Sequence, residues 1–164
     1  MKDSQNKLIR PASASDLPSI VELNNLVQNL HARNHPKLIK PASEGTEFSD
    51  WFVEVIENPD SIVLVVELSG TVVGYIYAEE VKKTASWVSP TVHLLMLHHI
   101  GVDSKAQGKG IGKMLMDGMY QEAKKRGVQR VELEVWDFND NARRFFAGYG
   151  FKDLRHRMDV EIEK

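Results

Sequence analysis

The chain has 164 residues, 42% hydrophobic and 27% charged, with a formal net charge of −2; this suits one globular domain with a sizeable core and leaves no basic surplus for nucleic acid. Cysteine is absent, which excludes disulfides, thiolate metal sites and a cysteine nucleophile and fits a reducing, cytoplasmic setting. No run nears the roughly 18 apolar residues of a membrane span, and the opening MKDSQNKLIRP lacks the apolar centre of a signal peptide.

Lys7–Arg10 reads as a short strand. Ser13 follows as an N-cap with Asp16 as its reciprocal partner. Leu17, Ile20, Val21, Val27 and Leu30 recur at helical spacing, which predicts a helix over about 14–34. His35–Thr46, with two prolines and a glycine, reads as a loop within the domain. A second helix starts near Glu47, since Phe48, Trp51, Phe52, Val55 and Ile56 form one apolar stripe, and Asn58-Pro59 stops it.

The pattern then turns to strands. SIVLVVEL is a buried strand, Ser69-Gly70 turns, and TVVGYIYAEEV returns antiparallel. Lys82–Ser89 is a polar loop holding Trp87. TVHLLMLHHIGV is apolar enough for a central strand. Lys109–Arg126 is a helix with Ile111, Leu115, Gly118 and Met119 inward, ended by Gly127 behind a basic turn. VQRVELEVW is the next strand. Asn139 caps a short helix over 140–148, Gly150 ends it, and Phe151–Glu163 is a final strand. The order is β-α-α-β-β-β-α-β-α-β over residues 7–164: an α/β domain with a mixed central sheet flanked by helices on both faces.

The connection QGKGIGK, Gln107 to Lys113, joins the central strand to a helix. The first amides of a helix have no partner inside it, and the helix dipole adds positive character there. Gly108, Gly110 and Gly112 let a backbone approach a ligand closely, and Lys109 and Lys113 add full charges. The turn is therefore an anion site suited to a phosphate or diphosphate. A Walker A loop would need glycine at Gln107 and a hydroxyl residue at Met114. The dinucleotide fingerprint would need glycine at Lys113.

Gln107-x-x-Gly110-x-Gly112 resembles the Gln/Arg-x-x-Gly-x-Gly/Ala signature of the GNAT superfamily of N-acetyltransferases. The block NDNARRFFAGYGF resembles that family's second segment at Asn139, Ala142, Gly150 and Phe151. The order of elements is similar too, so the resemblance runs from about Leu8 to Glu163.

It implies acetyl-CoA as acetyl donor, with its diphosphate on Gln107, Gly108, Lys109, Gly110, Ile111, Gly112 and Lys113. The pantetheine arm would meet main-chain atoms of Ile100 and Val102, with an irregularity in the strand at Gly101. Asn139, Ala142 and Phe146 would face the arm from the other side. The amine would attack directly, in a ternary complex. His98 matches a histidine of the arylalkylamine N-acetyltransferases and is the candidate proton acceptor. His99 should point to the opposite face by strand alternation unless a bulge intervenes.

Two departures stand out. Many members carry a glutamate where this chain has Met96, and a tyrosine acid where it has Phe146; Tyr149 is the candidate substitute. These losses keep open a second reading, a catalytically weak acetyl-CoA-binding sensor. The acceptor is a small-molecule amine or a protein or peptide amine, which the sequence leaves undecided. His31, His35 and Lys37 lie where relatives close over the acceptor. Glu79 and Glu80 are placed to attract a cationic one. Trp87 is a substrate or partner contact or local packing, and His93 has no partner visible in sequence. No His/Asp/Glu spacing reads as a metal site. Many members pair through a sheet edge, so a homodimer is compatible with the resemblance, although no dimer stripe is visible.

Overall fold

The computed structural model describes residues 6–43 and 45–162. They fall into two compact units, one running to Glu134 and the other beginning at Val135.

The first unit is built on a five-stranded sheet in the order β1-β2-β3-β4-β5. Its strands are β1 (Lys7–Pro11), β2 (Ser61–Leu68), β3 (Thr71–Lys83), β4 (Val92–Val102) and β5 (Val131–Leu133). The first four pair antiparallel, and β5 lies parallel to β4. The β2–β3 hairpin turns on Ser69 and Gly70, both at positive φ, as the Ser-Gly pair predicts.

Strand alternation sends successive side chains of β2 and β3 to opposite faces. Val63, Val65, Tyr75 and Tyr77 face one way, where they pack with Ile20 and Leu23 of α1 (Leu17–Asn34) and Phe52 and Val55 of α2 (Glu47–Glu57). Gly74 and Leu64 face the other way, against Ile111, Leu115 and Gly118 of α3 (Ile111–Lys125). A Cβ on Gly74 would sit 2.7 Å from Ile111, and one on Gly118 2.6 Å from Ile9. These glycines let α3 lie close on the sheet. Mixed sheet and helices on both faces thus agree with the patterning.

The start of α1 is more elaborate than a simple cap. A single 3₁₀ turn, Ala14–Asp16, precedes it. Ser13 N donates to the Asp16 carboxylate at 2.8 Å. Arg10 donates to both Asp16 oxygens at 2.8 Å and to Glu67. The guanidinium, then the Ser13 bonds, holds the buried Asp16 carboxyl below its ordinary pKa against desolvation.

Two strand expectations change. The predicted strand over 128–136 shortens to Val131–Leu133, because only these residues find a ladder, opposite Leu95–Leu97. The final strand is absent: Phe151–Ile162 carries no regular secondary structure. Alternating apolar residues there, Met158, Val160 and Ile162, are about 84–91% exposed; alternation alone does not make a strand, since propensity for one depends on packing partners. Glu163 lies outside the described residues. In the second unit, α4 (Asp140–Gly148) runs between its Asn139 cap and Gly150, as predicted. Among the described residues no helix is long and apolar enough to cross a membrane.

Candidate active site

The glycine turn forms as its composition demands. Asp103 accepts from Lys105 N at 2.8 Å and opens a 3₁₀ turn, Ser104–Ala106. Gly108 and Gly110 then take φ of 74° and 80°, the left-handed region that glycine enters without penalty. A Cβ added at either would meet nothing within 4 Å. Open space, not crowding, borders the turn. Met114 N bonds Gly110 O at 3.1 Å, so the amides of Ile111 and Gly112 precede any acceptor within α3. An exposed, dipole-polarised turn of this kind fits a diphosphate. Gln107, Lys109 and Lys113 are exposed beside it. The Lys113 ammonium rests on Asp117 at 2.5 Å, one turn down the helix. A cation that the sequence does not advertise is also present: Lys7 Nζ donates to Lys109 O at 2.6 Å.

The strand entering the turn is irregular, but not at Gly101. Tyr75 pairs with Gly101 and Tyr77 with His99, while Ala78 pairs with Leu97. His98 is the extra residue of a β-bulge. Gly101 is regular and serves packing instead, since a Cβ there would lie 2.8 Å from the Tyr75 ring. The bulge also corrects the parity expected for the histidines. His98 stacks on Tyr77 at 5.0 Å and His99 meets the same ring edge-on at 5.6 Å. Both therefore face α1 and α2. Pairing between β4 and β5 stops at Leu97, so β4 carries Ile100 and Val102 onward without β5 as a neighbour.

The two histidines differ in surroundings. His98 Nε2 lies 3.4 Å from Glu79 Oε2, each side chain 37% exposed. Glu79 is also the cross-strand partner of Met96. His99 is enclosed by Phe48, Trp51 and Phe52. Its Nδ1 lies 3.3 Å from Tyr75 Oη, which donates to Asn24 Oδ1 at 3.3 Å. With its proton on Asn24, the hydroxyl receives from His99 Nδ1–H, which leaves the lone pair on Nε2. Burial, then the nearby His98 and His31, pushes the His99 pKa down to about 4.

These groups border a cavity of about 340 Å³ lined by Trp51, Glu54, Val55, Asn58, Tyr77, Glu79, His98 and His99. Glu54 and Asn58 are additions to the sequence reading. The signal was there, since Trp51, Glu54 and Asn58 recur at i, i+3 and i+7 on α2, but the apolar stripe placed Trp51 in the core. It is 43% exposed. Glu80, expected at the acceptor, is instead held by Arg126, His93 and Lys82, with His93 Nε2 at 2.7 Å. That bond gives His93 its partner. Trp87 is 96% exposed, so its ring is not part of the core.

The remaining candidates lie in the second unit. Asn139 Oδ1 accepts from Ala142 N at 3.1 Å, so its carbonyl caps α4. Phe146 is buried against Phe145 and Phe151. The Tyr149 ring packs on Phe145 at 5.2 Å.

Residues 24–151 match the acetyltransferase (GNAT) family model. The chain belongs to that family. Within it, an uncharacterized N-acetyltransferase of Methanocaldococcus jannaschii is 28% identical over 110 residues, 65% of this chain. The chain spans only 46% of that protein's length. An uncharacterized N-acetyltransferase of Lactobacillus delbrueckii subsp. lactis is 24% identical over 90% of this chain and 86% of its own. In fold, a mutant of the BH1408 protein from Bacillus halodurans superposes with a TM-score of 0.90 at 22% identity, covering 95% of this chain and 99% of that one. The GNAT chain thus has the mixed sheet flanked by helices that goes with this fold.

Proposed function

We propose that this GNAT chain transfers an acetyl group from acetyl-CoA to a primary amine, by direct attack in a ternary complex. One observation carries the reading. The strand that leads into the open glycine turn bulges at His98, and the bulge opens onto a cavity with a carboxylate–imidazole pair. Binding site and proton acceptor thus share one strand.

Gln107 to Lys113 hold the diphosphate through main-chain amides, with Lys109, Lys113 and Lys7 supplying positive charge around it. Main-chain groups of Ile100 and Val102 align the pantetheine arm, with Asn139, Ala142 and Phe146 assigned to the same ligand. Acetyl-CoA supplies a thioester carbon open to attack. The amine nitrogen forms a bond to that carbon as the carbon–sulfur bond breaks. The His98–Glu79 pair takes the proton that the amine must lose. Tyr149 is assigned to protonate the departing thiolate. Glu79 stands on β3 directly across from Met96, which puts a carboxylate beside the position where many relatives carry one. Holding both reactants at one cleft supplies much of the acceleration.

The test is thiol release with a panel of primary amines. Turnover with any of them is the expected result and removes the sensor reading. Tight acetyl-CoA binding with no turnover across the panel would establish the sensor instead.

A further inference from the structure

We propose that the cavity between α2 and the β3–β4 ladder selects a dicationic acceptor, a small diamine or polyamine bound by one ammonium and acetylated at its other nitrogen. The inference rests on the acetyltransferase reading for the reacting end alone.

The walls carry one sign of charge. Glu54 comes from α2, beside Trp51 and Asn58, and Glu79 from the facing sheet, beside His98. Among the described residues, no lysine or arginine lines the cavity. Elsewhere on this unit Glu67, Glu80, Glu122 and Glu132 each hold an arginine or lysine within 3.3 Å. Neither Glu54 nor Glu79 has such a partner among the described residues. An acceptor bearing a carboxylate or phosphate would bring like charge against both, with no lysine or arginine among the lining residues to offset it. A cation meets the opposite: two acidic groups and the rings of Trp51 and Tyr77, 6.1 Å apart and steeply inclined, which attract an ammonium.

The two carboxylates stand in different roles. Glu79 is coupled to His98 at the bulge, so its end of the cavity handles the nitrogen that must lose a proton. Glu54, on α2, is in no ion pair among the described residues, and its wall suits a nitrogen that stays charged. At about 340 Å³ the space is at the small end for ligand cavities. In the net reaction the reacting ammonium loses two protons and gains the acetyl group, and the coenzyme sulfur takes one proton. One proton is released, and the distal ammonium is unchanged.

The test uses three amines of one length: 1,4-diaminobutane, butylamine and 4-aminobutanoate, whose far ends are positive, neutral and negative. Thiol release gives kcat/KM, and calorimetry without acetyl-CoA gives binding. The expected order is diamine, butylamine, aminobutanoate, with about tenfold between the first two, the combined scale of an exposed ion pair and a cation–π contact. In Glu54→Gln the diamine-to-butylamine ratio should fall severalfold. Equal or better use of 4-aminobutanoate, or a ratio untouched by Glu54→Gln, overturns the inference while leaving the transferase intact. Glu54-dependent binding of the diamine with no acetylation upholds the cavity assignment and sinks the transferase. Neither binding nor turnover with the diamine overturns the inference.

Discussion

His98 and Glu79 stand on adjacent strands with Nε2 and Oε2 3.4 Å apart, and only the bulge at His98 brings them to one face. The pair is the chemical centre of the proposed reaction. His98→Ala should lower kcat by about 10²-fold or more, the scale of a lost general base, and alter the acidic limb of the rate profile. A profile superimposable on the wild type would clear His98 of the role.

The glycine turn makes a separate prediction. Gly110 sits at φ 80° in open space, so Gly110→Val strains the backbone without a steric clash in the core. The local cost is on the order of 1–2 kcal/mol. Acetyl-CoA affinity by calorimetry should fall beyond detection while the far-ultraviolet circular dichroism stays native. Unchanged affinity would remove the turn from the coenzyme site.

Tyr149 is tested by its hydroxyl alone. Tyr149→Phe keeps the ring on Phe145 and removes the proton donor. If it is the acid, kcat falls with little change in KM for acetyl-CoA. Equal kcat would assign thiolate protonation to water.

His99 links the cavity to stability. Its folded pKa of about 4 lies below the ordinary 6.5, so between those values the unfolded chain binds a proton that the folded chain refuses. Stability therefore falls as pH drops from about 6.5 to about 4, by on the order of 3 kcal/mol. His31, also lowered by burial and by His35, adds in the same sense. His99→Phe should flatten this slope in thermal melts over that window; an unchanged slope would show that His99 is not its source.

Glu80 acts with the opposite sign. Lys82, His93 and Arg126 hold its carboxyl down to about 2 from 4.5. The contribution is complete above about 4.5 and disappears as pH falls to about 2. Glu80→Gln should cost about 2 kcal/mol at neutral pH, less than a fully buried pair because Lys82 is exposed. Denaturant melts at pH 7 measure it, and wild type and variant should converge near pH 2. The sequence placed Glu79 and Glu80 together at the acceptor; the ladder separates them, since adjacent strand residues face opposite ways.

Local chemistry determined much of this protein from sequence alone. Helical spacing set α1 to α3, Asn139 and Gly150 bounded α4, the hairpin turn and β2–β4 followed from composition, and the glycines marked the left-handed turn before α3. Each is a property of neighbouring residues, so each is written in a short window. Tertiary structure decided the rest. The bulge at His98 reversed the facing of His99, and β-parity has no local signature for an inserted residue. The Glu54–Glu79 cavity joins a helix to a ladder across an interval no periodicity spans. Trp51 keeps an apolar residue's place in its helix, yet only the sheet opposite decides how much of it water still reaches.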